Sequence, residues 1–184
     1  MIREHQQNLI GDRAPDFELP GADGEVYHLT RYLENQHIVG VVFMGNQCPY
    51  VRSSLERLKE IQRDFRDRGL VLMGINANDT AQFPEESLEE MKTFAKENDL
   101  NFPYLRDSSQ DVAHSFGAKT TPQVFLLDGE GTIRYCGAID DNPSDAEAVT
   151  QPFLRQAIVA LLEGKAIEQT ATELQGCSLK WRDN

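Results

Sequence analysis

Residues 37–55 read HIVGVVFMGNQCPYVRSSL, and this stretch decides the fold. Residues 38–44 are a short run of branched and apolar residues, which is typical of a strand buried on both faces. Polar residues then interrupt the run, and Pro49 predicts the start of a helix because its missing N–H costs nothing at the first helical position. The stretch therefore predicts a buried strand that leads through a short turn into a helix.

Cys48 lies on this turn, at the N-terminus of the predicted helix. Free backbone N–H groups and the positive end of the helix dipole both favour a thiolate at such a position. The thiolate is the reactive form of cysteine. The pattern favours Cys48 as a reactive centre over the alternative, a buried structural thiol.

The composition is that of a globular protein with a sizeable core: 184 residues, 40% hydrophobic and 26% charged. The net charge of −12 argues against nucleic acid or an anionic membrane as a partner, because both attract basic surfaces. Three cysteines are too few for a disulfide scaffold. With no apolar run of signal-peptide or membrane-spanning length, we expect a cytoplasmic protein with reduced thiols.

Outward from the central stretch, hydrophobic periodicity predicts an alternation of strands and helices. The predicted elements, after a loosely held lead-in of residues 1–10, are an N-terminal hairpin at 11–29, a strand at 38–44, a helix at 49–68, a strand at 70–75, a helix at 84–98, an extended piece at 102–105, a small helix capped by Ser108 or Ser109 and ending at 116, a hairpin at 123–136 and a helix at 146–163, with a new start at Pro152 as the alternative. Two parallel strands and an antiparallel pair indicate an α/β fold, a mixed β-sheet flanked by helices with an N-terminal β-hairpin extension. We expect a single domain over residues 1–184, with its core at about 11–165 and a C-terminal tail of residues 166–184.

A strand, a cysteine and a helix, followed later by Thr121-Pro122 at the entry to a β-hairpin, resemble the thioredoxin fold. The resemblance implies that the Thr121–Pro122 bond is cis and that Pro122 lies against Cys48. It also implies that the backbone of Thr121 can pair with a substrate strand.

Two further motifs resemble the alkyl hydroperoxide reductase/thiol-specific antioxidant family: GDRAPDFEL at 11–19 and FLLD at 125–128. Three others resemble a little-characterised peroxiredoxin-like group: NQCPYV at 46–51, GAIDD at 137–141 and GCSLKW at 176–181. The resemblance covers nearly the whole chain from residue 11 and implies a thiol-dependent oxidoreductase.

The chain departs from these families at several active-site positions. Thioredoxins carry a second cysteine three residues after the first, and Val51 at this position makes a local C-x-x-C disulfide impossible. Peroxiredoxins place Thr or Ser three residues before the reactive cysteine and Pro seven before, where this chain has Gly45 and Val41. The peroxiredoxin active-site arginine corresponds to about Pro122. Two groups that polarise a peroxide are therefore missing.

The candidates that could polarise a peroxide in place of the missing groups are Lys119, Arg52 and a backbone N–H. Thiol–disulfide exchange depends less on them, because it needs an accessible thiolate and a shaped groove. We therefore predict that Cys48 reduces disulfides, or less efficiently peroxides. The alternative is a non-catalytic thioredoxin-fold module that holds a partner protein or a metal through Cys48.

The tail carries Cys177, which either resolves the oxidised Cys48 or is a packed or exposed thiol, and Trp181, which could anchor the tail. Cys136, in the apolar hairpin strand, favours core packing. The candidate site residues are Cys48 and Cys177 as catalytic groups, and Asn46, Gln47, Pro49, Tyr50, Thr121 and Pro122 as substrate-binding or site-shaping groups.

Several of these assignments have alternatives. Asn46 and Gln47 either bind a substrate or satisfy the turn, and Tyr50 either lines the site or packs. His37 and His114 favour structural or solvated roles. The acidic turn at 140–142 favours a solvated loop over a cation site, so we predict no metal and no cofactor. The expected partners are a protein or small-molecule disulfide or thiol, and a hydroperoxide.

Overall fold

The computed structural model describes residues 2–35 and 38–183, and His37 lies outside the described residues. The helices and strands are α1 (Ile2–Leu9), β1 (Glu18–Pro20), β2 (Val26–His28), α2 (Leu29–Asn35), β3 (Ile38–Phe43), α3 (Pro49–Phe65), β4 (Leu70–Asn76), α4 (Leu88–Glu97), β5 (Tyr104–Arg106), α5 (Asp111–Phe116), β6 (Thr120–Thr121), β7 (Gln123–Asp128), β8 (Ile133–Gly137), α6 (Phe153–Leu162) and β9 (Cys177–Ser178).

The central sheet has the strand order β5-β4-β3-β7-β8. Strand β3 runs parallel to β4 and antiparallel to β7, and β7 runs antiparallel to β8. This arrangement confirms the predicted mixed sheet, and β1 and β2 form the predicted N-terminal hairpin. Strand β5 adds a further parallel strand beside β4, where the sequence predicted only an extended piece. Its three residues are too few to show a period in the sequence.

Apolar layers cover both faces of the sheet, as the unbroken apolar runs of β3 and β4 predict. Every residue of β3 is buried. Val42 packs into one layer, with residues of α3, α4 and α6, while its neighbour Val41 packs into the other, with residues of β1, α5 and the tail. Alternate side chains of a strand point to opposite faces, and β3 therefore lies at the centre of both layers.

The N-terminal segment differs from its prediction, because residues 2–9 form α1 rather than a loose lead-in. The helix packs near β8 and buries Gln6. The sequence IREHQQNL has few apolar residues, so its periodicity gave no helical signal. Contact with the sheet stabilises this short helix, which would be marginal on its own.

The last helix begins at Phe153 with Pro152 as its N-cap, which confirms the alternative start, while residues 146–148 form an isolated 3-10 turn. The helix predicted from Pro84 likewise divides, because Ser87 caps α4 with its hydroxyl and the preceding residues 84–86 form a 3-10 turn. Within residues 2–35 and 38–183, no helix has both the length and the apolar character that crossing a bilayer requires.

Candidate active site

Cys48 is the N-cap residue of α3, in the loop that joins the end of β3 to the helix. Its backbone is extended and Pro49 occupies the first helical position, as the sequence predicts. The carboxyl ends of β3 and β4 meet at this edge of the sheet, where the unpaired N–H groups of α3 also point. The side chain of Cys48 is only 6% exposed, so the site admits little water.

The nearest polar neighbours of Cys48 come from two distant segments. Cys48 Sγ lies 2.7 Å from Cys177 Sγ and 3.1 Å from the carbonyl oxygen of Thr121. The Thr121–Pro122 bond is cis, as the resemblance to the thioredoxin fold implies. Both Cys48 and Cys177 are free thiols in this structure. Tertiary structure thus joins residues that are 129 positions apart in sequence.

Cys177 reaches Cys48 because the tail forms a strand with the segment before Pro122. Strands β6 and β9 pair antiparallel, with Thr121 opposite Cys177 and Thr120 opposite Ser178. The Leu179 N–H donates to the carbonyl of Lys119 at 2.9 Å and extends the pairing. The backbone of Thr121, which the resemblance assigns to a substrate strand, is therefore paired with the chain's own tail.

The thiol of Cys177 holds its proton strongly. Partial burial, the hydrogen bond with Cys48 and the charge of Cys48 together raise the pKa of Cys177 to about 11. The nearby Lys180 opposes this shift, while Glu86 adds to it. The Cys177 thiol therefore keeps its proton at neutral pH.

Glu86 organises the loop that carries Cys48, although no sequence pattern marked it. Its buried carboxylate accepts the backbone N–H groups of Asn46 at 2.7 Å and Gln47 at 3.1 Å. The Asn76 side-chain amide donates to it at 2.7 Å. A buried carboxylate with several hydrogen bonds fixes the backbone strongly, because each bond is charge-assisted.

The side chain of Asn46 completes this scaffold. Its amide group donates to the carbonyl of Glu85, and its oxygen accepts the hydroxyl of Tyr104 at 2.7 Å. The Arg52 Nε donates to the Asn46 carbonyl at 2.7 Å, and its guanidinium lies over Phe94. Of the alternatives left open by the sequence, the geometry favours the turn-satisfying role for Asn46, and Arg52 is engaged with the loop.

The remaining predicted site residues surround Cys48 with different exposure. Gln47 and Pro49 are exposed at the mouth of the site, while Tyr50 is half-buried and packs against the core. Thr121 is buried. Of these residues, Gln47 and Pro49 are the most exposed to solvent.

Two sequence candidates lie outside this cluster. Cys136 is fully buried in the core, as its strand pattern predicts, and burial raises the pKa of its thiol to about 12. Asp140, in the acidic turn, is buried and forms an ion pair with Arg57 of α3. Among the described residues, no group of three or more His, Cys, Asp or Glu side chains is arranged to hold a metal ion.

The tail beyond Cys177 is held by a further set of contacts. Leu179 is buried in the apolar layer, and the Lys180 carbonyl accepts the Asp79 N–H at 2.8 Å. Gln110 donates to the same carbonyl at 2.9 Å. The Trp181 ring stacks on His114, with ring centroids 4.2 Å apart, so His114 has a structural role in this conformation. We call residues 176–182 the docking segment.

A mixed sheet with a cysteine at a helix N-terminus and a cis-proline loop beside it defines the class, the thiol-dependent oxidoreductases of thioredoxin-like fold. A solved structure of a hypothetical protein from Sinorhizobium meliloti 1021 has a TM-score of 0.87 and 38% identity, over 95% of this chain and 96% of that one. Residues 10–136 match the AhpC/TSA family model, and the chain belongs to that family.

Curated relatives share the class. The thiol-disulfide oxidoreductase ResA of Geobacillus thermodenitrificans is 26% identical over 125 residues, which is 68% of this chain and 67% of that protein. A Mycobacterium tuberculosis protein provisionally named a peroxiredoxin is 27% identical over 132 residues, which is 72% of this chain and 78% of that protein. The chain is thus similar to proteins on both the disulfide-exchange and the peroxiredoxin sides of the family.

Proposed function

We propose that this protein reduces disulfides, and less efficiently hydroperoxides, with Cys48 as the nucleophile and Cys177 as the resolving thiol. The observation that carries the proposal is the 2.7 Å separation of the two sulfurs at the N-terminus of α3. A helix N-terminus stabilises negative charge, and thiolates are the attacking species in thiol–disulfide exchange.

The electrostatics divide the roles between the two cysteines. Cys177 keeps its proton because its pKa is raised to about 11, in part by the hydrogen bond and charge of Cys48. A thiol that keeps its proton is a poor first nucleophile, so we assign the first attack to Cys48 at the helix N-terminus. Once the Cys48 sulfur is bonded to another atom it carries no charge, so part of the effect that holds the proton on Cys177 disappears. Cys177 becomes a nucleophile when its target has formed.

The proposed reaction with a disulfide proceeds in two exchanges. The Cys48 thiolate attacks one sulfur of the substrate, forms a mixed disulfide and expels the other sulfur as a thiolate. Cys177 loses its proton and attacks Cys48 Sγ, which expels the second substrate thiolate. The products are two substrate thiols and a Cys48–Cys177 disulfide, which an external dithiol reduces to start the next cycle.

The reaction with a hydroperoxide would follow the same course through a sulfenic acid. Cys48 takes one peroxide oxygen and releases an alcohol or water, and Cys177 then forms the disulfide with loss of water. Gly45 and Val41 supply no side-chain group that could polarise the peroxide, and Arg52 is engaged with the Asn46 carbonyl. These features support disulfide exchange as the faster reaction. The need for reduced thiols also supports the proposed cytoplasmic setting.

The test is to oxidise the reduced protein with hydrogen peroxide, and separately with 2-hydroxyethyl disulfide, and to map disulfides by mass spectrometry. We expect a Cys48–Cys177 bond that forms within a turnover time, and faster with the disulfide. Cys177→Ser should instead accumulate a mixed disulfide at Cys48, and Cys48→Ser should form neither product.

Cys136→Ala is the matched control, because Cys136 is buried away from the site and should leave both products unchanged. If Cys48 stays reduced with both oxidants, the redox proposal fails, and a non-catalytic module that holds a partner through Cys48 becomes the better account.

A further inference from the structure

The docking segment occupies the position that an extended peptide would need in order to reach Cys48. Thr121 pairs with Cys177 and Thr120 with Ser178, so the exposed edge of β6 is already used. Peptides that bind by adding a strand to a sheet edge depend on those same backbone groups. Cys177 shows that a residue on the strand paired with β6 can place its sulfur against Cys48 Sγ.

The segment is seated at several points rather than resting on one contact. Leu179 is 3% exposed, and its N–H donates to the Lys119 carbonyl at 2.9 Å. The Lys180 N–H donates to Asn78 Oδ1 at 2.9 Å, and Trp181 stacks on His114. These contacts lie beyond Cys177, so they hold the segment whether or not Cys177 reacts.

Gly176 shows how closely the segment approaches β6. A Cβ atom at this position would lie 2.2 Å from the Thr121 carbonyl oxygen, which no real structure tolerates. A chain with an ordinary side chain here could not follow the same path. The close approach leaves no room for a second strand between the tail and β6.

A small cavity lies beside the cis-proline loop, and Cys48 is not among the residues that line it. Its volume is about 240 Å³, and its lining includes Pro122, which follows Thr121, whose carbonyl oxygen lies 3.1 Å from Cys48 Sγ. Pockets for drug-sized ligands usually exceed roughly 300 Å³, so this cavity matches a compact molecule and not a polypeptide segment.

We propose that the docked tail limits Cys48 to low-molecular-weight oxidants, a small disulfide or a hydroperoxide, and excludes disulfides carried by an extended polypeptide. This inference rests on the proposed function and names its substrate class. In each turnover the small disulfide gives one thiolate when Cys48 attacks and a second when Cys177 attacks Cys48. Both leave while the docking segment stays in place.

The test compares the oxidation rate of Cys48 by 2-hydroxyethyl disulfide with that by the disulfides of insulin, measured by acid quench and mass spectrometry. The tail variant is Leu179→Ala/Trp181→Ala, which changes neither cysteine. Gly176→Ala is a second variant that acts through the backbone clash. Leu162→Ala is the matched control, since Leu162 lies near Ile38, at the opposite end of β3. Hydrogen exchange at the Leu179 amide measures release of the segment.

We expect the insulin-to-small-disulfide rate ratio to rise at least tenfold in the tail variants and to stay within twofold in the control. The decisive variant is the tail variant with the fastest hydrogen exchange at the Leu179 amide. If its insulin-to-small-disulfide rate ratio stays within twofold of the wild-type ratio, the inference is wrong. If neither oxidant reacts with Cys48 in any of these proteins, the proposed function itself has failed, and the inference falls with it.

Discussion

Glu86 places a buried carboxylate beneath the loop that carries Cys48. It accepts hydrogen bonds from Asn46, Gln47 and Asn76, and so satisfies donors that would otherwise be left without partners in a buried site. Burial of unsatisfied donors is costly, so the carboxylate holds this loop in one conformation. Cys48 follows Gln47 directly, and its position depends on that conformation.

We expect Glu86→Gln to reduce the free energy of unfolding by about 2–3 kcal/mol, because a neutral amide loses the charge-assisted bonds and points a donor at other donors. The rate of Cys48 oxidation should fall as well, since the loop is less ordered. Urea unfolding and quenched oxidation measure the two effects. Glu90→Gln, at an exposed position, is the control and should change neither value. If both variants have the same free energy of unfolding, Glu86 does not hold the loop in one conformation.

The pKa of Cys177 gives a second prediction for a single residue. Burial is the largest cause of the raised value, followed by the hydrogen bond with Cys48 and its charge. Alkylation of Cys177 by iodoacetamide should therefore be slow at pH 8 and rise with pH toward about 11 as the thiolate forms. Cys48→Ser removes the charged neighbour, so the rate at pH 8 should increase roughly threefold to tenfold. An unchanged rate would show that Cys48 does not raise the pKa of Cys177.

At the scale of elements, the tail is an added edge strand held by a small helix. Gln110, at the N-cap of α5, donates to the carbonyls of Ala77 and Lys180 and accepts the Arg182 N–H at 3.0 Å. One side chain thus ties the end of β4 and the docking segment together. Its backbone φ of 69° is left-handed, a conformation that Asn tolerates better than most residues.

Gln110→Asn should keep the turn but shorten the side chain by one methylene, and so weaken docking of the tail by roughly 1–3 kcal/mol. We expect at least tenfold faster hydrogen exchange at the Leu179 amide and slower formation of the Cys48–Cys177 disulfide. The first oxidation of Cys48 should persist. Gln156→Asn, on the exposed side of α6, is the matched control. If exchange is the same in both variants, Gln110 does not hold the tail.

At the scale of the whole molecule, burial of Cys136 makes global stability sensitive to alkaline pH. The pKa of Cys136 is raised from 9.0 to about 12 in the folded protein, chiefly by burial. Because the folded value is the higher one, the stabilising effect is complete below pH 9 and is lost as pH rises toward 12. The unfolded chain ionises in this range while the folded chain does not.

Between pH 8 and pH 10, the wild type should therefore lose about 1.4 kcal/mol more unfolding free energy than Cys136→Ala. Urea unfolding at both pH values, in the presence of a reductant, gives the difference. The comparison of slopes cancels the cost of the cavity that the alanine leaves. Parallel pH dependence in the two proteins would contradict the raised pKa.

Local sequence determined the parts of this fold that its own pattern can encode. The apolar runs before Gly45 and in residues 70–75 predicted buried strands, because both faces of those strands are covered. Pro49 after Cys48 predicted the helix start, and the tight turn at 128–131 predicted the hairpin after Pro122. The position of Cys48 at a helix N-terminus follows from these local features.

Tertiary structure alone decided the partners of Cys48. The carboxylate of Glu86 and the strand pairing of Cys177 with Thr121 join segments that are far apart in the chain, and no periodicity records such contacts. The sequence did not predict helix α1, and it predicted β5 only as an extended piece, because packing against the sheet stabilises segments whose short sequences carry little signal. The sequence thus determined that the Cys48 thiol would lie at a helix N-terminus. Long-range packing decided which groups surround it, because hydrophobic patterning shows which residues are buried and not which segments pair.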